Sequence, residues 1–237
     1  NDQEAPADIN RRGFPTATQR TAFEQVVGLE ASDLTFDEIA RLRPPAYDVM
    51  ARMVRKPTLL KIHDAFRPSD DAPPIVSTAA TIGALYLLRN PLDVAVSWAH
   101  HQGQSIERAV ADLVDPRFRL DGSTKHPGQQ LPQVLRDWSS HVRSWMDAPV
   151  RLHVIRYEDL KTRPVETFEA VVRFLGWPHD RAQIERAERL SRFDVVQAQE
   201  RDVPFCEKSP RTRRFFRQGR SGAWRGSARA VRWSRFR

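Results

Sequence analysis

Two stretches of this 237-residue chain place charge-handling side chains where chemistry can be done. In Leu87-Leu88-Arg89-Asn90-Pro91-Leu92-Asp93-Val94-Ala95-Val96-Ser97-Trp98 an apolar run ends in Arg89, and Pro91 follows at the position that suits the first turn of a helix. An Arg at the carboxyl end of a parallel strand, beside a helix N-terminus, faces the edge where open α/β sheets hold ligands. Backbone N–H groups and the helix dipole favour an anion there. Arg89 adds a forked donor, and Ser97, about two turns along, adds a hydroxyl. The alternative is an Arg that only forms an ion pair at a strand end and a Ser that faces solvent.

The second stretch is Thr58-Leu59-Leu60-Lys61-Ile62-His63, an apolar run with the length of a buried strand. Alternation in a strand puts Lys61 and His63 on one face, so a single reacting group can meet a cation and a base. Of the 7 histidines, His63 alone is placed this way; a lone His is otherwise more often a satisfied structural residue. His100 and His101 are adjacent, hence about 100° apart on a helix, and make poor joint metal ligands. Asp, Glu and His spacing offers no metal site. Gly219-Arg220-Ser221-Gly222 is not a nucleophile elbow, which removes a hydrolase triad.

These residues need elements to hold them. Thr35-Phe36-Asp37-Glu38 is a capping box opening a helix that Pro44-Pro45 is expected to stop, with a second helix running to about Arg55. Strands are expected at 58–63, 83–88 and 150–155, with a helix from Pro91 to about His101 and a long amphipathic helix from about Leu131 to Met146. Arg163-Pro164 leads into an apolar stripe closed by Gly176, and Asp180 caps a further helix to Leu190. Apolar strands separated by helices imply an α/β fold, a parallel sheet with helices on both faces in three layers.

Composition narrows the function classes. The chain carries 38 Lys+Arg against 30 Asp+Glu, a formal charge of +8. Yet 12 basic and 2 acidic residues lie between Arg201 and Arg237, so the first 200 residues are net −2. That distribution argues against a nucleic-acid-binding body. One cysteine, Cys206, excludes an internal disulfide and fits a reducing compartment. The longest apolar run, Ile82 to Leu88, is far short of the ~20 residues that span a bilayer, so no membrane partner is expected.

The Arg89 block resembles the sulfotransferase family, in which an Arg-Asn-Pro-x-Asp-x-x-x-Ser block grips the 3′-phosphate of 3′-phosphoadenosine-5′-phosphosulfate (PAPS) through its Arg and Ser. Further matches follow in the family's order. Leu59 to His63 is similar to the strand ending in Lys-x-His, which implies His63 as general base and Lys61 at the sulfuryl group. Arg156-Tyr157-Glu158-Asp159-Leu160 resembles the segment whose Tyr approaches the adenine, and Ser191-Arg192-Phe193 stands where the family holds that ring. Phe216-Arg217-Gln218-Gly219-Arg220-Ser221-Gly222-Ala223-Trp224 resembles the loop that closes on the 3′-phosphate, which implies Arg217 and Gly219 there. The resemblance implies a sulfotransferase fold of the P-loop nucleotide-kinase type. It also implies PAPS as co-substrate without a metal, a small-molecule acceptor with a hydroxyl or amine, and a cytoplasmic location.

The chain departs from that family at both ends. No Lys precedes Lys56 and no Lys-Ser-Gly-type phosphosulfate loop is present, so an N-terminal strand, loop and helix are expected to be missing and turnover by this chain to be weak. The chain starts with Asn, as a processed, trimmed or partial product does. Residues 1–225 are expected to form one α/β domain, with 1–17 a flexible lead-in. Residues 226–237 form an Arg-rich tail. The tail is either aberrant or functional; in the second case the fold is an inactive remnant and the tail binds polyanions, nucleic acid or an anionic membrane. Gln218 stands where the family has Lys, and Asp64 is either a turn residue or an orienter of His63.

Overall fold

The structure, a computed structural model, describes residues 8–10, 14–120 and 130–227. The Arg-rich tail from 228 onward and residues 1–7 and 11–13 of the lead-in lie outside the described residues. In chain order come α1 (Arg20–Val27), α2 (Phe36–Met53), β1 (Ala84–Leu88), α3 (Pro91–Gln102), α4 (Ile106–Val114), β2 (Arg119–Leu120) and β3 (Gln133–Val134). Then follow α5 (Trp138–Met146), β4 (Leu152–Arg156), α6 (Tyr157–Thr162), α7 (Pro164–Leu175), α8 (Arg181–Ser191) and α9 (Phe193–Asp202). Contacts divide the chain into two compact units, one of Asn1–Gly13, Leu85–Ala111 and His153–Arg237, the other of Phe14–Ala84 and Asp112–Leu152.

β1 pairs with β4, and all but the first residue of each strand lies in the first unit. The strands run parallel: Ala84 N–H, at the start of one, donates at 2.8 Å to the carbonyl of Arg151, just before the start of the other. Both strands turn directly into helices at their carboxyl ends. After β1, Pro91 sits in the first turn of α3 and the Asn90 side chain caps it by accepting from Leu92 N–H at 2.9 Å. After β4, Arg163-Pro164 separates α6 from α7, which Gly176 closes in the left-handed conformation at φ 69°. Asp180 caps α8 by accepting from Gln183 N–H at 2.7 Å. The α/β class read from the sequence is thus the class of the fold. Leu87 of β1 is 69% exposed.

The second unit holds an apolar core of Phe23, Ala31, Ile39, Ala46 and Leu131, with Val26, Val27, Leu34 and Leu42 packed against it. Burying each large side chain contributes about 1.5–3 kcal/mol. The Thr35–Glu38 capping box is present in both directions. Pro44-Pro45, however, does not end the helix: α2 runs through both prolines to Met53. The cause is tertiary. Ile39 and Arg43 before the prolines, and Ala46 and Tyr47 after them, are all buried on one face. That packing outweighs the lost backbone bonds and the strain of about 3 kcal/mol that proline brings to a helix interior.

Three further expectations are corrected here. The 58–63 run is not a strand: only Lys61 pairs, in a parallel bridge with Thr16, and Thr58, Leu60 and His63 are exposed. Its apolar residues find no second neighbour to pair with among the described residues, so the ladder stops at one bridge. The expected helix from Leu131 starts only at Trp138, because Gln133 and Val134 pair antiparallel with Leu120 and Arg119 and Asp137 then caps α5. The lead-in is ordered at its end, where Lys61 N–H donates to Pro15 O at 2.8 Å, Ala17 N–H donates to Lys61 O at 2.9 Å, and Ala17 is buried.

Candidate functional site

In the first unit the carboxyl ends of β1 and β4 carry Arg89 and Tyr157. The Arg89 guanidinium lies over the Tyr157 ring, 4.2 Å from its centroid, and its Nη2–H donates to Arg220 O at 3.2 Å. Its Nε is buried and has no hydrogen-bond partner among the described residues. A buried, charged, unsatisfied donor is costly unless an anion meets it. The Arg217 guanidinium is held below its ordinary range by burial and by the neighbouring charges of Arg220 and Arg89. Three guanidinium groups therefore lie near one another with no carboxylate ion-paired to them among the described residues, an arrangement that an oxyanion would stabilise. Burial also raises the Tyr157 phenol, with Arg89 opposing it.

The segment carrying Arg217 and Arg220 is fastened down by two buried carboxylates. Asp93, in the first turn of α3 and 1% exposed, accepts from Gly222 N–H at 2.7 Å and Trp224 N–H at 3.1 Å. Glu200 of α9 accepts from Phe215 and Phe216 N–H. The Gln197 amide donates at 2.7 Å to Phe216 O, and also reaches Arg217 O. Ser97 lies exposed on α3, one turn beyond Asp93.

Gly219 is where this segment meets Phe193. Its φ is +56°, and a Cβ there would come within 2.3–2.6 Å of the Phe193 ring carbons. The ring packs on the glycine, sets its edge toward Phe216 and lies under Lys161 Nζ, 5.5 Å from the centroid. Gly219→Ala must push that ring away and strain the backbone, at a cost of about 1–3 kcal/mol for overpacking alone. Thermal melts of Gly219→Ala in the wild-type and Phe193→Ala backgrounds check this. The glycine substitution is expected to cost clearly less where the ring is gone, and an equal cost in both would contradict the contact.

Ser191 ends α8, and its hydroxyl donates to Ala187 O at 2.7 Å and Glu188 O at 3.3 Å, so its proton is spent on its own helix. Arg89, Ser97, Tyr157, Ser191, Phe193, Arg217 and Gly219 all belong to the first unit. Lys61 and His63 belong to the second.

In that second unit His63 is exposed, with Nδ1 2.8 Å from Gln133 Oε1. Its carbonyl accepts from His141 Nε2–H at 3.0 Å, and the carbonyl of Asp64 accepts from Trp145 Nε1–H at 3.0 Å. Burial holds the His141 imidazole below the usual histidine range. Asp64 sits at a bend, and its carboxylate turns to Arg43 rather than to the His63 ring. It is 1% exposed and forms a bidentate pair with Arg43, Nη1 to Oδ1 at 2.8 Å and Nη2 to Oδ2 at 2.7 Å. Arg43 also donates to Pro132 O at 2.7 Å and to Tyr47 Oη at 2.7 Å, and Tyr47 donates in turn to Ala17 O. Burial opposes the Arg43 charge, but Asp64 more than offsets it and raises the guanidinium above its ordinary value. Burial pushes the Tyr47 phenol up to about 12.

The sequence left Asp93, Gln133 and the Arg43–Asp64 pair without roles. For Asp93 a signal was present, an acid in the first turn after a strand-end Arg, where helix dipole and loop amides both favour a carboxylate. Nothing in residue order pairs Arg43 with Asp64, 21 residues away.

An α/β unit with Arg89 at the carboxyl end of a parallel strand, and Arg217 and Arg220 near it, has an arrangement common among nucleotide-binding α/β folds. Within that class, the family model described as Sulfotransferase domain matches residues 26–229, through both units, and the chain belongs to the sulfotransferase domain family. It is 24% identical over 152 residues to cytosolic sulfotransferase 16 of Arabidopsis thaliana, a match covering 59% of this chain and 44% of that protein. Among solved structures, mouse sulfotransferase SULT7A1 complexed with PAP superposes with a TM-score of 0.54 at 17% identity, over 81% of this chain and 65% of that one. Retinol dehydratase in complex with androsterone and inactive cofactor PAP gives 0.52 at 20%, over 79% and 53%. Retinol dehydratase in a complex with retinol and PAP gives 0.52 at 20%, over 95% and 61%. The chain thus spans less than half the length of the plant relative and under two thirds of each of these solved chains. At these identities the structures speak for the fold.

Proposed function

We propose that this chain acts in PAPS-dependent sulfuryl transfer to a hydroxyl or amine of a small-molecule acceptor. The observation that carries the reading is the buried, unpartnered Nε of Arg89 amid the converging charges of Arg217 and Arg220. Family membership and neighbours complexed with PAP support it, as do the androsterone and retinol in the retinol dehydratase complexes.

PAPS supplies the sulfuryl group when bound. Arg89 and Arg217 hold the 3′-phosphate, with the Gly219 amide and the Ser97 hydroxyl as further donors. Tyr157 and Phe193 offer ring faces to the adenine, with Ser191 beside Phe193 in sequence. His63 takes the acceptor proton, and Lys61 stabilises negative charge on the transferring group. The roles are assigned without a metal. Because no Lys precedes Lys56, turnover by these 237 residues alone is expected to be weak, so the first test is binding.

Calorimetric titration with adenosine 3′,5′-bisphosphate is expected to show binding that Arg89→Ala weakens at least about tenfold, the loss of one charge-assisted contact. His63→Ala should bind the nucleotide as the unaltered chain does, while any transfer from PAPS disappears. Nucleotide binding that ignores Arg89, or transfer that survives His63→Ala, would sink the corresponding role.

A further inference from the structure

His63 is exposed, but the residue that reaches it is not. Gln133, in β3, is 3% exposed, yet its amide oxygen lies 2.8 Å from His63 Nδ1. Its amide nitrogen lies 3.4 Å from Gln130 Oε1, a contact that suits nitrogen toward Gln130 and oxygen toward the imidazole, the orientation assigned in the structure. An amide oxygen only accepts, so the proton of the neutral ring sits on Nδ1 and the lone pair on Nε2. The adjacent residue fixes the backbone of the same turn, since Val134 N–H donates to Asp64 Oδ1 at 2.9 Å. The His63 and Asp64 carbonyls are held by His141 and Trp145 of α5. Ring and backbone are thus restrained from two elements, the β2–β3 ribbon and α5.

We propose that Gln133 is a positioning residue that holds His63 in its Nδ1–H tautomer and so makes Nε2 the proton-accepting nitrogen. The proposal rests on the reading of His63 as the base. A buried amide serving packing alone would leave the ring free to take the Nε2–H form that imidazole favours in water.

The test is long-range 1H–15N NMR of the full chain labelled in histidine, without nucleotide, above the titration of the ring. His63 is expected to show the Nδ1–H tautomer, and Gln133→Leu to lose it in favour of Nε2–H. Gln133→Glu should keep Nδ1–H and raise the His63 titration midpoint by about one pH unit or more, since a carboxylate in place of the amide favours the imidazolium. An Nε2–H ring in the unaltered chain, or an Nδ1–H ring that persists in Gln133→Leu, overturns the proposal. Where Gln133→Leu fails to fold, Gln133→Glu decides: an unchanged midpoint overturns it, a raised one supports it. Adenosine 3′,5′-bisphosphate titrated into the same samples reports separately on the nucleotide reading, so failure there leaves the tautomer result intact.

Discussion

Asp64→Ala is expected to destabilise the protein by about 3–5 kcal/mol, the largest effect of any single substitution considered. The loss would come chiefly from what remains behind. Arg43 is 2% exposed, and without the carboxylate its guanidinium keeps only the Pro132 carbonyl and the Tyr47 hydroxyl as partners in a site closed to water. Val134 N–H loses an acceptor as well. For a chain of this length the loss corresponds to a fall of about 6–20 °C in the melting temperature. Against a typical stability of about 5–15 kcal/mol, the loss is about a fifth of the total or more. Replacing both members with apolar residues, Arg43→Met with Asp64→Leu, should recover much of the loss, because no uncompensated charge is then buried. Thermal and denaturant melts of the two single variants and the double variant check this. A double variant as unstable as Asp64→Ala would show that shape, not charge compensation, governs the site.

Asp93→Ala is expected to weaken adenosine 3′,5′-bisphosphate binding by about 10²-fold and to lower the melting temperature as well, because two loop amides lose a buried acceptor. Each hydrogen bond from a loop amide to this carboxylate is worth about 1.5–3 kcal/mol, and Asp93 accepts two, from Gly222 and Trp224. Those bonds hold the segment that presents Arg217, Gly219 and Arg220, so their loss acts on binding through the cost of ordering that segment again. Limited proteolysis should find new cleavage after Arg217 or Arg220 in the variant, and saturating nucleotide should suppress it. Asp93→Asn, which keeps one acceptor oxygen, should fall between. Nucleotide affinity within twofold of the unaltered chain, with the proteolytic pattern unchanged, would remove Asp93 from the binding apparatus.

Residue order revealed the elements around Arg89 better than those around His63, for a physical reason. Arg89, Asn90 and Pro91 act through local rules: a strand stops, an Asn caps, a proline fits a first turn, and the structure repeats each of these. Thr35, Gly176 and Asp180 are legible on the same terms, since caps and closures involve neighbours within four residues. The failures are all long-range. Whether Pro44-Pro45 ends α2 depends on Arg43 finding Asp64 and Tyr47 meeting Ala17, 21 and 30 residues away. Whether 58–63 forms a strand depends on a pairing partner rather than on its own apolar character, and whether Gln133 reads as helix or ribbon depends on Leu120 across a pairing. The role of Gln133 toward His63, 70 residues apart, carries no signature in either segment.

The two prolines inside α2 also bear on the order in which this protein acquires structure. A helix interrupted this way has a costly nucleus and little propensity to extend past Arg43 on its own, although the Thr35–Glu38 box can start it. Its second half is held by tertiary contacts, among them the pair with Asp64 and the bond from Tyr47 to Ala17, so it waits for distant chain to arrive. Completion of α2 past Arg43 is therefore expected to depend on closure of nonlocal loops, and the Arg43–Asp64 pair ties α2 to the turn that carries His63.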